Sequence, residues 1–207
     1  MTSGPIGTRP LAVTMGHVER RICAGTTIRL PLDAVYGQLV ADPAVIFSGD
    51  PQPLGLLDHQ VTATLELQVS AAEAHNHEIV LTYGSADRSA DQMSTSVQWR
   101  SSRGHQLFPN FWGTLWIRGE EDSTWLELVG VSHIPLGRYG DGQAGRQIAR
   151  EAVAAQLRGI AGRLMASQTS TVAATADRVP PVLVEESPVE DAPNQADPAV
   201  PSSSGRR

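Results

Sequence analysis

Between residues 61 and 128, apolar and polar side chains alternate with a period of two. Val61, Ala63, Leu65, Leu67 and Val69 are separated by Thr62, Thr64, Glu66 and Gln68. Ile79, Leu81 and Tyr83 follow, then Met93, Thr95, Val97 and Trp99, then Phe111 to Ile117, and last Leu126 and Leu128 around Glu127. Strict alternation puts every second side chain on one face, the signature of a half-buried strand. The intervening stretches AAEAHNH, GSADRSAD and RGEEDS are short, polar and turn-like. Five strands joined by hairpin-length loops predict an antiparallel meander. Residues 17–30 predict an earlier strand, interrupted at Gly25.

A period near 3.6 replaces the period of two at both ends of the meander. Leu32 to Ala41 predicts a helix that stops before Asp42-Pro43. From Gly142 to Ala166, Val153, Leu157, Ile160 and Leu164 recur at spacings of four, three and four, flanked by Ala149 and Ala161. Arginines and Glu151 mostly occupy the opposite side, so this long helix has one apolar stripe to bury. The meander is the available partner.

After Ser167 the chain turns to Ser, Thr, Ala, Pro and scattered acids without aromatics, a composition that predicts a disordered tail over 168–207. Within it, Pro180 to Val184 is apolar and able to lie extended against a surface. Residues 1–14 read as irregular, which leaves 15–167 as one domain. At about 150 residues it buries roughly 70% of its unfolded surface.

The stretch LFPNFWGTLWIRG, residues 107–119, sharpens the face assignment. Leu126 and Leu128 alternate with Glu127, so their face is the core. A hairpin turning near Glu120-Glu121 puts Leu115 opposite Leu126 and Trp116 opposite Trp125. Trp112, Trp116 and Trp125, three of the four tryptophans, then share the outer face, and Trp99 points inward. An outer patch of this kind predicts a cover: a second copy, another protein, or the tail through Val182 to Val184. The alternative is tryptophans lying flat and half exposed beside Arg118.

The bulk numbers remove several classes of function. Net charge is −6 and the pI about 5.5, so no general attraction to nucleic acid or anionic membranes is expected. All 16 basic residues are arginine, which removes Schiff-base and P-loop chemistry. Cys23 is alone and cannot form an internal disulfide. No signal peptide is read at the N-terminus and no window is long and apolar enough to span a bilayer, which predicts a cytoplasmic protein without integral membrane association.

Several short motifs resemble the SRPBCC superfamily (START-like, Bet v 1-like, polyketide cyclase-like), its bacterial branch in particular. They are Val18-Glu19-Arg20-Arg21-Ile22; the helix ending Ala41-Asp42-Pro43; Trp99 followed by Leu107-Phe108-Pro109; Phe111-x-Gly113-x-Leu115; Leu126-x-Leu128-x-Gly130; and Pro135-Leu136-Gly137 before the long helix. The resemblance spans most of 17–166. It implies an α+β helix-grip fold, a curved antiparallel sheet wrapped around a long C-terminal helix, with a cavity between them. For function it implies binding of lipids or other hydrophobic small molecules, polyketide cyclisation or aromatisation, or a non-catalytic protein-binding role.

The inward-facing residues bear on that choice. Cavity candidates are Leu65, Leu67, Leu81, Tyr83, Val97, Trp99, Phe111, Leu115, Leu128, Val153 and Leu157. Tyr83 and Thr95 supply the notable hydroxyls on this face. An apolar lining suits binding better than catalysis, and it equally suits a filled core. His75 and His77 are expected in a solvated loop, not as metal ligands. His133 and His105 are candidate general bases without an assignable acid partner. GRYGDG, 137–142, lacks the spacing of a nucleotide loop. No catalytic residue, metal or cofactor is assigned. The leading expectation is non-enzymatic binding of a hydrophobic small molecule or lipid. The alternatives are an interaction module using Trp112, Trp116 and Trp125, as a homodimer or with another protein, and a cyclase-like enzyme.

Overall fold

The computed structural model describes residues 17–49, 59–70, 73–102, 108–135, 143–169 and 182–188. Strand β1 (His17–Ile28) leads into helices α1 (Leu32–Ala41) and α2 (Pro43–Ser48). Strands β2 (Gln60–Ser70), β3 (Glu73–Tyr83), β4 (Asp87–Arg88), β5 (Gln92–Ser101), β6 (Asn110–Glu120) and β7 (Ser123–Pro135) follow, then α3 (Gln143–Thr169) and β8 (Leu183–Pro188). The sheet runs β2-β3-β5-β6-β7-β1-β8, with the short β4 paired to β5. Every pairing is antiparallel.

Helix α3 packs on β2, near one edge of the sheet, and on β7 and β1, near the other. One helix touches strands so far apart in the order only if the sheet curls around it. The structure is thus α+β with the expected grip on the long helix. Val153, Leu157, Ile160 and Leu164 are fully buried against the inner face, each contributing about 1.5–3 kcal/mol relative to exposure.

Several expectations are corrected. β1 passes through Gly25 unbroken, because a side chain there would meet the Trp125 indole at 2.3 Å. α1 does stop at Ala41, before Asp42-Pro43, but a second helix that was not expected follows: Pro43 begins α2 at its first turn, with Asp42 Oδ1 accepting from the Val45 N–H at 3.2 Å. His75 and His77 lie in β3, not in a loop, opposite Leu67 and Leu65 of β2. Residues 183–188, expected in the disordered tail, form β8 on the edge of β1, and α3 runs to Thr169. The β6–β7 hairpin turns at Glu121-Asp122, where Glu121 takes the left-handed conformation (φ 47°). Leu115 therefore pairs with Leu128 and Trp116 with Glu127, two residues from the expected register. A shift of two preserves the faces.

Candidate functional site

The inner face is built from alternate residues of β2, β3, β5, β6 and β7 and closed by α3. All eleven cavity candidates are buried there, from Leu65 and Leu67 on β2 to Val153 and Leu157 on α3. Trp99 and Phe111 stack with ring centres 4.3 Å apart, and Phe47 of α2 stacks on Tyr83 at 4.9 Å. Phe111 lies across the paired Gly113 and Gly130, where a β-carbon would approach its ring within 2.5 Å.

Buried polar side chains on this side are mostly spent on the backbone. Thr95 donates to the Gly84 carbonyl at 2.9 Å, Thr124 to Leu30 at 2.6 Å and Gln156 to Phe47 at 2.9 Å. Arg163 reaches the last turn of α2, donating to the carbonyls of Ile46 at 2.7 Å and Phe47 at 3.1 Å. Burial pulls its guanidinium down to about 10, still charged at neutral pH. Trp99 is different. Its indole N–H is buried, with the residue only 3% exposed, and has no acceptor among the described residues. An apolar opening of about 110 Å³ lies between β2 and the first turns of α3, lined by Leu67, Gln68, Ala144, Gln147, Ile148 and Glu151. His77 sits near this end of β3, stacked on Phe108 at 3.7 Å.

The outer face carries the remaining tryptophans. Trp112 is 44% exposed, whereas Trp116 and Trp125 are half-buried. Trp112 leans on the His133 ring at 4.3 Å, Arg118 pairs with Glu127 at 3.6 Å, and Trp125 covers Gly25. β8 does not lie over this face; it extends the sheet beside β1. There Glu186 is held between Arg20 at 3.6 Å and Arg150 at 2.5 Å, tying the tail strand to α3. Cys23 donates its S–H to Glu127 Oε1 at 3.3 Å. Burial, then the Glu127 carboxylate, pushes its thiol up to about 11.

The structure separates the candidate acid–base groups. Tyr83 is on the inner face and His133 on the outer one, while His105 lies outside the described residues. Burial lowers the His133 imidazole below its ordinary value, opposed by Glu19 and reinforced by His17. The sequence also missed a cluster: His17 and Glu19 on β1 converge with His133 on β7. Their spacing of two on one strand was visible; their meeting with a residue 114 or more positions away was not.

Comparison with known proteins leaves the chain without a family assignment: no family model and no curated protein matches it. Solved structures with a similar shape do exist. A conserved protein from Geobacillus kaustophilus aligns with TM-score 0.44 at 14% identity, covering 71% of this chain and 96% of its own. An uncharacterised protein from Rhizobium leguminosarum gives 0.44 at 11%, covering 74% and 99%. A norcoclaurine synthase point mutant from Thalictrum flavum, in complex with a transition-state analogue, gives 0.41 at 14%, covering 75% and 99%. Among the described residues, no helix is long and apolar enough to cross a membrane.

Proposed function

We propose that this chain is a non-enzymatic helix-grip domain of the SRPBCC type that binds a hydrophobic small molecule or lipid carrying a hydrogen-bond acceptor. In this reading the ligand enters at the apolar opening beside Leu67 and Ile148 and parts α3 from the inner face to reach Trp99. The observation that carries this reading is the Trp99 indole N–H, a donor buried in an apolar interior without a protein acceptor among the described residues. Leaving such a donor unpaired costs about 1–3 kcal/mol, and a ligand carbonyl or hydroxyl would recover it. The surrounding apolar residues orient and shield such a ligand; among the described residues, Tyr83 and His133 stand on opposite faces of the sheet and do not converge on it.

Native mass spectrometry of the purified full chain, with titration by the fluorophore 1-anilinonaphthalene-8-sulfonate, tests this reading. A bound hydrophobic molecule or saturable probe binding at one site per chain is expected. Trp99→Phe should weaken the probe several-fold with stability held or raised, because the unpaired donor is removed. A bare chain mass together with absent probe binding would overturn the reading.

The 44% exposure of Trp112 favours a second role, an interaction surface on the outer face formed with Trp116 and Trp125. Trp116→Glu should then abolish self-association or partner capture while circular dichroism stays unchanged. Unaltered assembly in analytical ultracentrifugation rules out a homodimer through this face.

A further inference from the structure

We propose that His17, Glu19 and His133 form a binding site for one divalent transition-metal ion of the Zn²⁺ class, on the outer face at the end of the β1–β7 ladder. The placement follows from strand geometry. His17 and Glu19 are two apart on β1 and so share a face, and the register sets His133 of β7 directly opposite Glu19. His133 Nε2 lies 3.3 Å from Glu19 Oε1, and His17 Nε2 lies 3.7 Å from the same oxygen. One ligand atom from each of the three residues falls within 4.8 Å of the others.

These separations suit a small tetrahedral ion. With bonds of about 2.0–2.1 Å to nitrogen and oxygen, ligand atoms around Zn²⁺ stand about 3.3–3.4 Å apart. Two of the three edges are therefore near their final length. The third edge, between the imidazoles, lies within 4.8 Å and closes by a turn of the His17 ring, which now stacks on His133 at 5.1 Å and 20°. The His17 side chain is 56% exposed and Glu19 42%, so this rotation meets little packing. His133 is the better fixed ligand, held from the side by Trp112. Two neutral imidazoles and one carboxylate make a donor set for Zn²⁺, Co²⁺, Ni²⁺ or Cu²⁺ rather than for Ca²⁺ or Mg²⁺, which take oxygen ligands. Three protein ligands leave a fourth position for water or an external donor. Because the donors come from both strands, the ion would clasp the start of β1 to the end of β7.

The test uses the full chain without an affinity tag, stripped with a chelator and titrated with Zn²⁺ by calorimetry and with Co²⁺ by absorption. One ion per chain is expected, with the visible bands of four-coordinate Co²⁺. Cu²⁺ should quench a share of the tryptophan fluorescence that is lost in Trp112→Phe. His133→Ala and Glu19→Ala should each weaken Zn²⁺ by at least about tenfold, and His75→Ala with His77→Ala should leave it unchanged. Absence of binding at ion concentrations up to millimolar overturns the proposal. So does binding that survives loss of His133 and Glu19, or that disappears with His75 and His77. Circular dichroism of the variants separates loss of a ligand from loss of the fold.

Discussion

At the scale of single residues, Cys23 shows how position sets chemistry. Its thiol faces the outer side of β1, half-buried, and donates to Glu127. Both burial and the carboxylate oppose the thiolate, so the thiol titrates at about 11. The nucleophile is the thiolate, and Cys23 should therefore be nearly inert to iodoacetamide at pH 7.5 and react steeply faster above pH 10. The linkage has a definite sign: a raised folded pKa favours the folded state below the ordinary thiol value, and that contribution is lost as pH climbs through about 11. Glu127→Gln should move the alkylation profile to lower pH. An unmoved profile would show that the carboxylate contributes nothing.

At the scale of elements, α2 depends on a helix far from it in sequence. Its carbonyl end is capped by Gly49 in the left-handed conformation and by the half-buried Arg163 of α3, with Gln156 beside it. Hydrogen bonds from a charged donor are each worth about 1.5–3 kcal/mol. Arg163→Met keeps much of the packing and removes both bonds, so urea unfolding should show a loss of about 3 kcal/mol. A loss within the error of the measurement would mean the contact is incidental.

The tail strand β8 makes a second such case. It pairs with β1, rests Val184 on the core beside the preceding Val182, and closes with Glu186 between two arginines. A chain ending at residue 181 exposes the backbone edge of β1, an invitation to further strand pairing. Its melting temperature should fall, by roughly 2–4 °C per kcal/mol lost, and its tendency to associate should rise. An unchanged melting curve would make β8 dispensable.

At the scale of the molecule, what could be read beforehand follows from what each signal depends on. The inner and outer faces were legible because alternation needs no partner: Leu115, Leu126 and Trp99 went inward, and Trp112, Trp116 and Trp125 outward. The α3 stripe was legible for the same reason. The β6–β7 register was not, since Glu121-Asp122 lacks the usual turn residues and a slip of two leaves the face pattern intact. The outer half of β3 was hidden because Ala74, His75 and Asn76 are exposed on both sides and carry no alternation. β8 was hidden because a polar strand at an edge differs little in composition from a tail.

By itself, then, the sequence determined the α+β class, a long amphipathic helix with an antiparallel meander as its partner, and the division of aromatics between two faces. These follow from side-chain periodicity, which is local. The tertiary structure decided what lies next to what: the Trp99 N–H buried without an acceptor among the described residues, the tail strand latched through Glu186, and His17 and Glu19 brought to His133. Each of these depends on strand pairing between distant segments, and pairing is set by the packing of the whole sheet around α3.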